Sequence, residues 1–203
     1  MKMNLPNKLT VLRLCMVPVF VVVMMLSDAL WASILGLVLF VVASLTDMLD
    51  GKIARKHGLV TDFGKFLDPL ADKFMVIGAL LVILYRAMTD AVPNRLFCNL
   101  FFWATLLVIF RELAVTSIRL VASGSSGVVL AASMAGKVKT CVQIACVVVC
   151  FLERILYFHV DALAGLLKYM PLSVLTSVLM IAATLWSGIS YLRSYWKYLD
   201  PQK

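Results

Sequence analysis

The sequence predicts an all-α integral membrane protein with six transmembrane helices, and three observations support that fold class. Hydrophobic residues make up 63% of the 203 positions and charged residues only 15%, with a mean hydropathy of +0.98, whereas soluble domains are about 45–50% apolar and about 25% charged. Six apolar runs approach the roughly 20 residues that a helix needs to cross a bilayer. Short polar segments with glycine, proline or charged residues separate these runs, as expected of connections between helices.

The six predicted spans cover residues 9–26, 31–54, 63–85, 96–120, 133–158 and 171–191. Lys2, Lys8 and Arg13 alternate with leucines before and at the start of the first span, which predicts an N-terminal interfacial segment that is basic on one side. Asn7 suits a helix N-cap, and Pro18 predicts a kink. Residues 123–127 and 153–168 are predicted loops, and residues 1–203 are expected to form a single membrane domain.

The basic residues predict the orientation. An even number of spans places both ends of the chain on one side, and most lysines and arginines fall on that side. The positive-inside rule therefore predicts cytoplasmic termini in the inner (cytoplasmic) membrane. The net charge of +8 has the same explanation, together with attraction to anionic lipid headgroups, and no nucleic-acid-binding motif accompanies it. The five cysteines form no C-x-x-C pair, so no zinc site is predicted.

Four aspartates indicate a functional site between residues 47 and 72. Asp47 and Asp50 are three residues apart, and Asp68 and Asp72 are four apart, so each pair lies on one helix face. Carboxylates in membrane spans cost several kcal/mol each and repel one another. One or two divalent metal ions would hold them together. Solvated helix ends, or a pathway for protons or cations, are the alternatives.

The same stretch carries a recognisable motif. The pattern Asp47-x-x-Asp50-Gly51-x-x-Ala54-Arg55, eight residues, then Gly64-x-x-x-Asp68-x-x-x-Asp72 resembles the signature of the CDP-alcohol phosphotransferases. Because the pattern fixes nine positions, a chance match is improbable. The resemblance implies six transmembrane helices, a homodimer and a two-metal site open to the cytoplasm. Such enzymes transfer a substituted phosphate from a CDP-linked donor to an alcohol and release CMP.

The resemblance also implies roles for particular residues. Asp47, Asp50 and Asp68 would be metal ligands for Mg²⁺ or Mn²⁺, two ions in each active site, and Asp72 would be both a ligand and the general base. The donor, CDP-diacylglycerol, would be bound by Asn7, Thr10, Gly51, Ala54, Arg55 and Thr61. Simpler explanations remain open for several of these positions: helix capping for Asn7 and Thr61, packing of small residues for Gly51 and positive-inside charge for Arg55.

The family signature does not identify the acceptor alcohol. A phosphorylated acceptor needs a second cationic pocket, and the helices at 97–121 and 133–158 supply Arg111, Arg119, Lys137 and Lys139 on the predicted cytoplasmic side. The stretches R-E-L-A-V-T-S-I-R and A-S-x-x-G-K-x-K-T-x-x-Q are similar to those of bacterial phosphatidylglycerophosphate synthases. Membrane topology alone could also explain these basic residues, and Lys137 and Lys139 face different sides of a helix.

The resulting prediction is an enzyme that moves a phosphatidyl group from CDP-diacylglycerol to glycerol 3-phosphate by two-metal-assisted in-line attack. Inositol phosphate is the nearest alternative acceptor. A cation-coupled transporter and a non-catalytic membrane scaffold are the alternatives from other classes. The sequence names no acyl-chain preference and no dimer surface, and the last span shows no recognisable motif.

Overall fold

The protein is helical throughout the ranges that its computed structural model describes, which are residues 4–27, 29–57, 61–90, 93–126, 134–160 and 169–196. These ranges contain six long helices and no strand, which confirms the predicted all-α class. The helices are α1 (Leu5–Leu26), α2 (Leu30–His57), α3 (Asp62–Thr89), α4 (Arg95–Ser126), α5 (Met134–His159) and α6 (Pro171–Tyr195).

Five of the helices are long and apolar enough to cross a membrane. Their candidate spans are Asn7–Leu26, Leu30–Asp47, Arg95–Arg119, Met134–Leu156 and Pro171–Tyr195. The chain is therefore a multi-pass membrane protein. Helix α3 is equally long, with 28 residues, but it is not among the five. It carries Asp68, Asp72, Lys73 and Arg86, and charged residues of this kind within a bundle face protein rather than lipid.

Helix α3 nevertheless runs the full length of the bundle beside α1. Thr10 bonds to Asp68 near the start of both helices, Gly78 packs against Val17 at mid-length, and Arg86 donates to the carbonyl of Ser27 at their ends. The two helices are therefore parallel and in register. This geometry makes α3 the sixth passage through the bundle, as the sequence predicted.

The remaining helices also run from end to end. Helix α4 leaves the end at which Cys98 meets Ala87 and reaches the end at which Thr116 meets Lys73. Helix α5 runs back, and α6 returns to the side on which α1 begins. We call that side, defined by Thr10, Asp47 and Asp68, the acidic end, and the other side the opposite end. The start of α1 and the finish of α6 thus share the acidic end.

The core is apolar and lies along the middle of the bundle. Phe20, Phe97, Phe101, Phe151 and Met180 are among its fully or nearly fully buried side chains. Helices α1 and α2 approach closely at Gly36, where an added Cβ would lie 2.3 Å from the Met24 sulfur, so only glycine fits there. Large apolar side chains also cover the outside of the helices, where lipid would solvate them.

The opposite end is fixed by buried charged groups. Arg154 makes a bidentate ion pair with Asp90, with both contacts at 2.6 Å. Met170 precedes α6 in the left-handed region at φ 47° and provides no side-chain cap. Glu153 of α5 replaces that cap, because its carboxylate accepts from the backbone N–H groups of Leu172 at 3.0 Å and Ser173 at 2.6 Å. These contacts tie α6 to α5 at the opposite end.

The helix ends differ from the predicted ones. The predicted loop at 123–127 is helical as far as Ser126, and α5 continues to His159 through the start of the predicted loop at 153–168. Helix α1 begins at Leu5, so the described part of the interfacial segment is its first turns rather than a separate element. Asn4 is the N-cap, since its side chain accepts from the N–H of Asn7 at 3.1 Å. The prediction that Asn7 caps this helix is therefore wrong.

Candidate active site

The first part of the site is the contact between the beginnings of α1 and α3. Asn7, which is 7% exposed, is hydrogen-bonded through its side-chain amide to the hydroxyl of Thr61 at 2.9 Å. Thr61 also caps α3, because its hydroxyl accepts from the N–H of Gly64 at 3.0 Å. A Cβ on Gly64 would lie 2.9 Å from the Asn7 side-chain oxygen. Gly64 therefore allows the close contact that brings Asn7 and Thr61 together.

Helix α1 then holds two of the predicted metal ligands. The Thr10 hydroxyl donates to Asp68 at 2.6 Å, and the Arg13 guanidinium pairs with Asp47 at 2.5 Å. Thr10 and Arg13 are each only 1% exposed, whereas their partners Asp68 and Asp47 remain partly accessible. The spacing Asn7-x-x-Thr10-x-x-Arg13 places the three side chains along one face of α1, which is the face turned toward α2 and α3.

Asp72 lies against this cluster from the next turn of α3. Its charged neighbours are Asp47, Arg13 and Lys139. Two neighbouring carboxylates repel one another unless a proton or a cation lies between them. Asp47 and Asp72, one from each predicted pair, are therefore neighbours, while the convergence of all four aspartates stays a prediction.

The donor set has the chemistry of a divalent-metal site, although its full geometry lies beyond the described side chains. Carboxylate oxygens are the ligands that Mg²⁺ and Mn²⁺ prefer, and the adjacent Asp47 and Asp72 supply them. No group of three or more His, Cys, Asp or Glu side chains is close enough to hold an ion among the side chains that the structure describes. Those do not include the side chains of residues 48–57, which contain Asp50, Gly51, Ala54 and Arg55.

Three ionic side chains form a second cluster between α4 and α5. Glu112 accepts from Lys139 and, at 3.3 Å, from the neighbouring Arg111. Arg111 is 9% exposed and Lys139 is 5% exposed. The single carboxylate therefore partly neutralises two buried cations, which would otherwise be costly in this environment. Glu112 was not a predicted site residue, although its position beside Arg111 in the sequence was a signal for it.

Helix α6 completes the second cluster with side chains that the sequence did not single out. Arg111 donates to the hydroxyl of Ser187, and Arg119 donates to the hydroxyl of Tyr191. The Tyr191 ring also carries both guanidinium groups, with Arg111 at 5.1 Å and Arg119 at 4.9 Å from its centroid. Tyr191 thus holds together two arginines that are eight residues apart on α4.

The two lysines of the predicted acceptor pocket have different positions. Lys139 is buried in the Glu112 cluster, whereas Lys137 is exposed on another side of α5. Lys73, which follows Asp72, donates to the Thr116 hydroxyl on α4 at 2.6 Å. Lys73 was not a predicted site residue, yet this contact places a further positive charge between the two clusters.

The two clusters are neighbours. Lys139 contacts Glu112, which also pairs with Arg111, and Asp72 is a more distant charged neighbour of Lys139. Charged side chains therefore extend from Arg13 and Asp47 past Asp72 toward the α4 cluster. An anionic group bound through metal ions at the aspartates and a second anionic group bound by the arginines would therefore lie close together near Asp72.

Comparisons with known proteins agree with this arrangement. A family model described as CDP-alcohol phosphatidyltransferase matches residues 3–189. The chain is 36% identical over 208 residues to the CDP-diacylglycerol–glycerol-3-phosphate 3-phosphatidyltransferase of Bacillus subtilis (strain 168), with 97% of each chain covered. It is 35% identical over 184 residues to a probable phosphatidylglycerophosphate synthase of Mycobacterium tuberculosis (strain ATCC 25618 / H37Rv), covering 90% of this chain and 82% of the relative. A transferase of Rickettsia bellii (strain RML369-C) with the same name as the Bacillus protein is 41% identical over 116 residues, which are 57% of this chain and 58% of the relative.

Proposed function

The chain belongs to the CDP-alcohol phosphatidyltransferase family, and from that membership we propose that it transfers the phosphatidyl group of CDP-diacylglycerol to glycerol 3-phosphate. The products are phosphatidylglycerol phosphate and CMP. The names of the relatives in Bacillus, Mycobacterium and Rickettsia support this choice of reaction. The acidic cluster around Asp47 and the neighbouring basic cluster around Arg111 also support it, because the reaction brings two phosphorylated substrates to one place.

The donor binds, in this proposal, where the first three helices meet at the acidic end. The contacts of Asn7 with Thr61 and of Thr10 with Asp68 support a shared pocket there. Gly51 and Ala54 allow the nucleotide to approach the α2 backbone, because their side chains are absent or small. Arg55 presents the fork of N–H donors that suits the pyrophosphate oxygens. The acyl chains remain among the helices in the bilayer.

Asp47, Asp50, Asp68 and Asp72 hold the divalent ions, which are Mg²⁺ or Mn²⁺ and two in number. When bound, such ions supply positive charge at the phosphate that is transferred. The fixed orientations of Asp47 by Arg13 and of Asp68 by Thr10 support this role. Each of these carboxylates has one oxygen held by α1 and a second oxygen available as a ligand.

Asp72 acts as the general base. It takes the proton from the terminal hydroxyl of glycerol 3-phosphate as that oxygen attacks the β-phosphorus of the donor. The bond between the β-phosphorus and the bridging oxygen breaks, and CMP leaves with that oxygen. The position of Asp72 between Asp47 and Lys139 supports this assignment, since it lies where the donor cluster and the acceptor cluster meet.

The acceptor phosphate binds to the basic residues of α4 and α5. Arg119 donates one N–H to Tyr191 and has further N–H groups for phosphate oxygens. Arg111 and Lys139, which both pair with Glu112, add positive charge next to the proposed phosphate site. Lys137 is exposed and would reach the acceptor from the rim of the pocket. A phosphorylated acceptor explains why Arg111 and Lys139 share a single glutamate, with Arg119 close by on the Tyr191 ring.

The observation that carries the proposal is the buried contact of Lys139 with Glu112 beside Arg111, at the same end of the bundle where α1 binds Asp47 and Asp68. We place the site at the cytoplasmic face of the inner membrane, because the basic residues concentrate at the acidic end. The working unit is a homodimer, as the family resemblance implies.

A panel of acceptors tests the proposed reaction. Purified protein in detergent would receive CDP-diacylglycerol, Mg²⁺ or Mn²⁺ and one acceptor at a time, and CMP would be measured. We expect release that depends on glycerol 3-phosphate and stops when EDTA removes the metal. Release with inositol phosphate or serine alone would overturn the choice of acceptor. Ion flux in proteoliposomes without CMP release would favour a transporter instead.

A further inference from the structure

Gln143 on α5 is a buried side chain with unused hydrogen-bonding capacity. It is 2% exposed, and its side-chain nitrogen has no hydrogen-bond partner among the described residues. Burying a donor without a partner costs about 1–3 kcal/mol, and such groups are rare in folded proteins. The residue is also part of the α5 motif that the proposed chemistry has not used. A polar group bound beside this amide would supply the missing partner.

The position of Gln143 on α5 indicates that its side-chain amide faces the active site. Gln143 follows Lys139 by four residues, so it lies one turn farther along the same face of α5. Helical side chains lean toward the N-terminus of their helix, and α5 begins at the acidic end. The Gln143 amide therefore leans back toward Lys139, which is a neighbour of Asp72.

Neighbouring helices present further unused polar atoms near this level. The Thr184 hydroxyl on α6 is fully buried, and the Nε of Arg111 on α4 is also buried; neither atom has a hydrogen-bond partner among the described residues. The contact between Cys146 and Ser177 at 4.0 Å fixes the antiparallel register of α5 and α6. Counting back from it places Thr184 level with Lys139, which is four residues or about 6 Å nearer the acidic end than Gln143.

We propose that Gln143, together with Thr184 about one helical turn nearer the acidic end, binds the hydroxyl of the acceptor that does not react. This inference rests on the proposed function. Glycerol 3-phosphate has a phosphate for the basic cluster and a terminal hydroxyl for Asp72, which leaves the hydroxyl on its central carbon. A carboxamide can both donate to and accept from such a neutral group. Gln143 is then a specificity-determining residue, because a site with a buried polar group rejects analogues that cannot pair with it.

A pair of acceptors isolates this contact. The first is glycerol 3-phosphate, and the second is 3-hydroxypropyl phosphate, which keeps the phosphate and the reacting hydroxyl but lacks the central one. In the unaltered protein we expect kcat/KM to be about 10- to 100-fold higher for glycerol 3-phosphate, since one buried hydrogen-bonded contact separates the two. Gln143→Met, which keeps a similar volume, should lower kcat/KM for glycerol 3-phosphate by about that factor and leave the analogue nearly unchanged.

Controls keep the inference falsifiable. Thr140→Val removes a hydroxyl from the same helix that bonds only to the Gly136 carbonyl among the described residues, and it should leave the ratio between acceptors unchanged. If Gln143→Met does not fold, Thr184→Val, which changes shape very little, should reduce the ratio instead. An unchanged ratio in folded Gln143→Met would show that the amide holds only water or packing, and would overturn the inference. CMP release that never depends on glycerol 3-phosphate in the unaltered protein would overturn the proposed function itself.

Discussion

Tyr191 has two separate functions in the arrangement of the basic cluster. Its hydroxyl accepts from Arg119, and its ring carries Arg111 and Arg119 at 5.1 and 4.9 Å. Two guanidinium groups repel each other, and the negative face of an aromatic ring offsets part of that repulsion. In the proposed function Tyr191 is thus a positioning residue, because it contacts the two arginines proposed to bind the acceptor phosphate.

Replacing Tyr191 separates these contributions. Tyr191→Leu removes the ring and the hydroxyl, and we expect the KM for glycerol 3-phosphate to rise about 10-fold, because two cation–π contacts are worth roughly 1–2 kcal/mol together. Tyr191→Phe keeps the ring and should raise that KM only about 3-fold. The KM for CDP-diacylglycerol should stay constant in both, as should all parameters in the control Tyr169→Leu at the opposite end. Equal rises in both KM values would indicate general loss of structure.

Individual residues of the site could be predicted from the sequence only where a motif or a charge marked them. Asn7 contacts Thr61, Thr10 contacts Asp68 and Arg13 pairs with Asp47, whereas the convergence of the aspartates on metal ions stays a prediction. Ser187 and Tyr191 could not be predicted, because serine and tyrosine are ordinary residues of an apolar span and only the packing of α6 on α4 gives them their partners.

At the scale of the helix, Glu153 determines how α6 begins. The first N–H groups of a helix have no partner within it, and Met170 offers none from its side chain. The Glu153 carboxylate, which is 1% exposed, satisfies two of these groups from the neighbouring helix. Its negative charge also interacts favourably with the positive end of the helix dipole.

Glu153→Gln tests this role. An amide oxygen can accept one of the two bonds, but it carries no charge, and its NH₂ group faces backbone donors. We therefore expect a loss of about 1–3 kcal/mol in stability, seen as a lower melting temperature in detergent. Arg193→Gln, on the exposed surface near the other end of α6, is the matched control and should melt like the unaltered protein. KM values that shift without any change in melting would contradict a purely structural role.

The existence of each helix followed from the apolar runs, but several helix ends did not. Ser123, Gly124 and Ser125 favour a loop by local preference, yet α4 continues to Ser126. Glu153 favoured a polar loop by its charge, whereas its carboxylate lies inside the bundle and caps the start of α6. For Glu153 the cause is a tertiary contact, since its carboxylate caps the neighbouring helix, and residue preferences do not report such contacts.

For the whole molecule, the central feature is that six helices deliver polar side chains to one end. The opposite end is also charged, but its groups are paired with one another or with helix backbone, as in Arg154 with Asp90 and Glu153 with α6. At the acidic end, Asp47 pairs with Arg13 and also has a second carboxylate, Asp72, as a neighbour. We therefore propose that the chemistry takes place at the acidic end.

One pair of substitutions tests this assignment most directly. Asp72→Asn and Asp90→Asn make the same chemical change at the two ends, and CMP release with CDP-diacylglycerol, glycerol 3-phosphate and Mg²⁺ would be measured per amount of folded protein. We expect Asp72→Asn to lose about 100-fold or more in kcat, because the general base is removed. Asp90→Asn should lower only the melting temperature. Full kcat in folded Asp72→Asn, or an equal loss of kcat in both variants, would contradict the account.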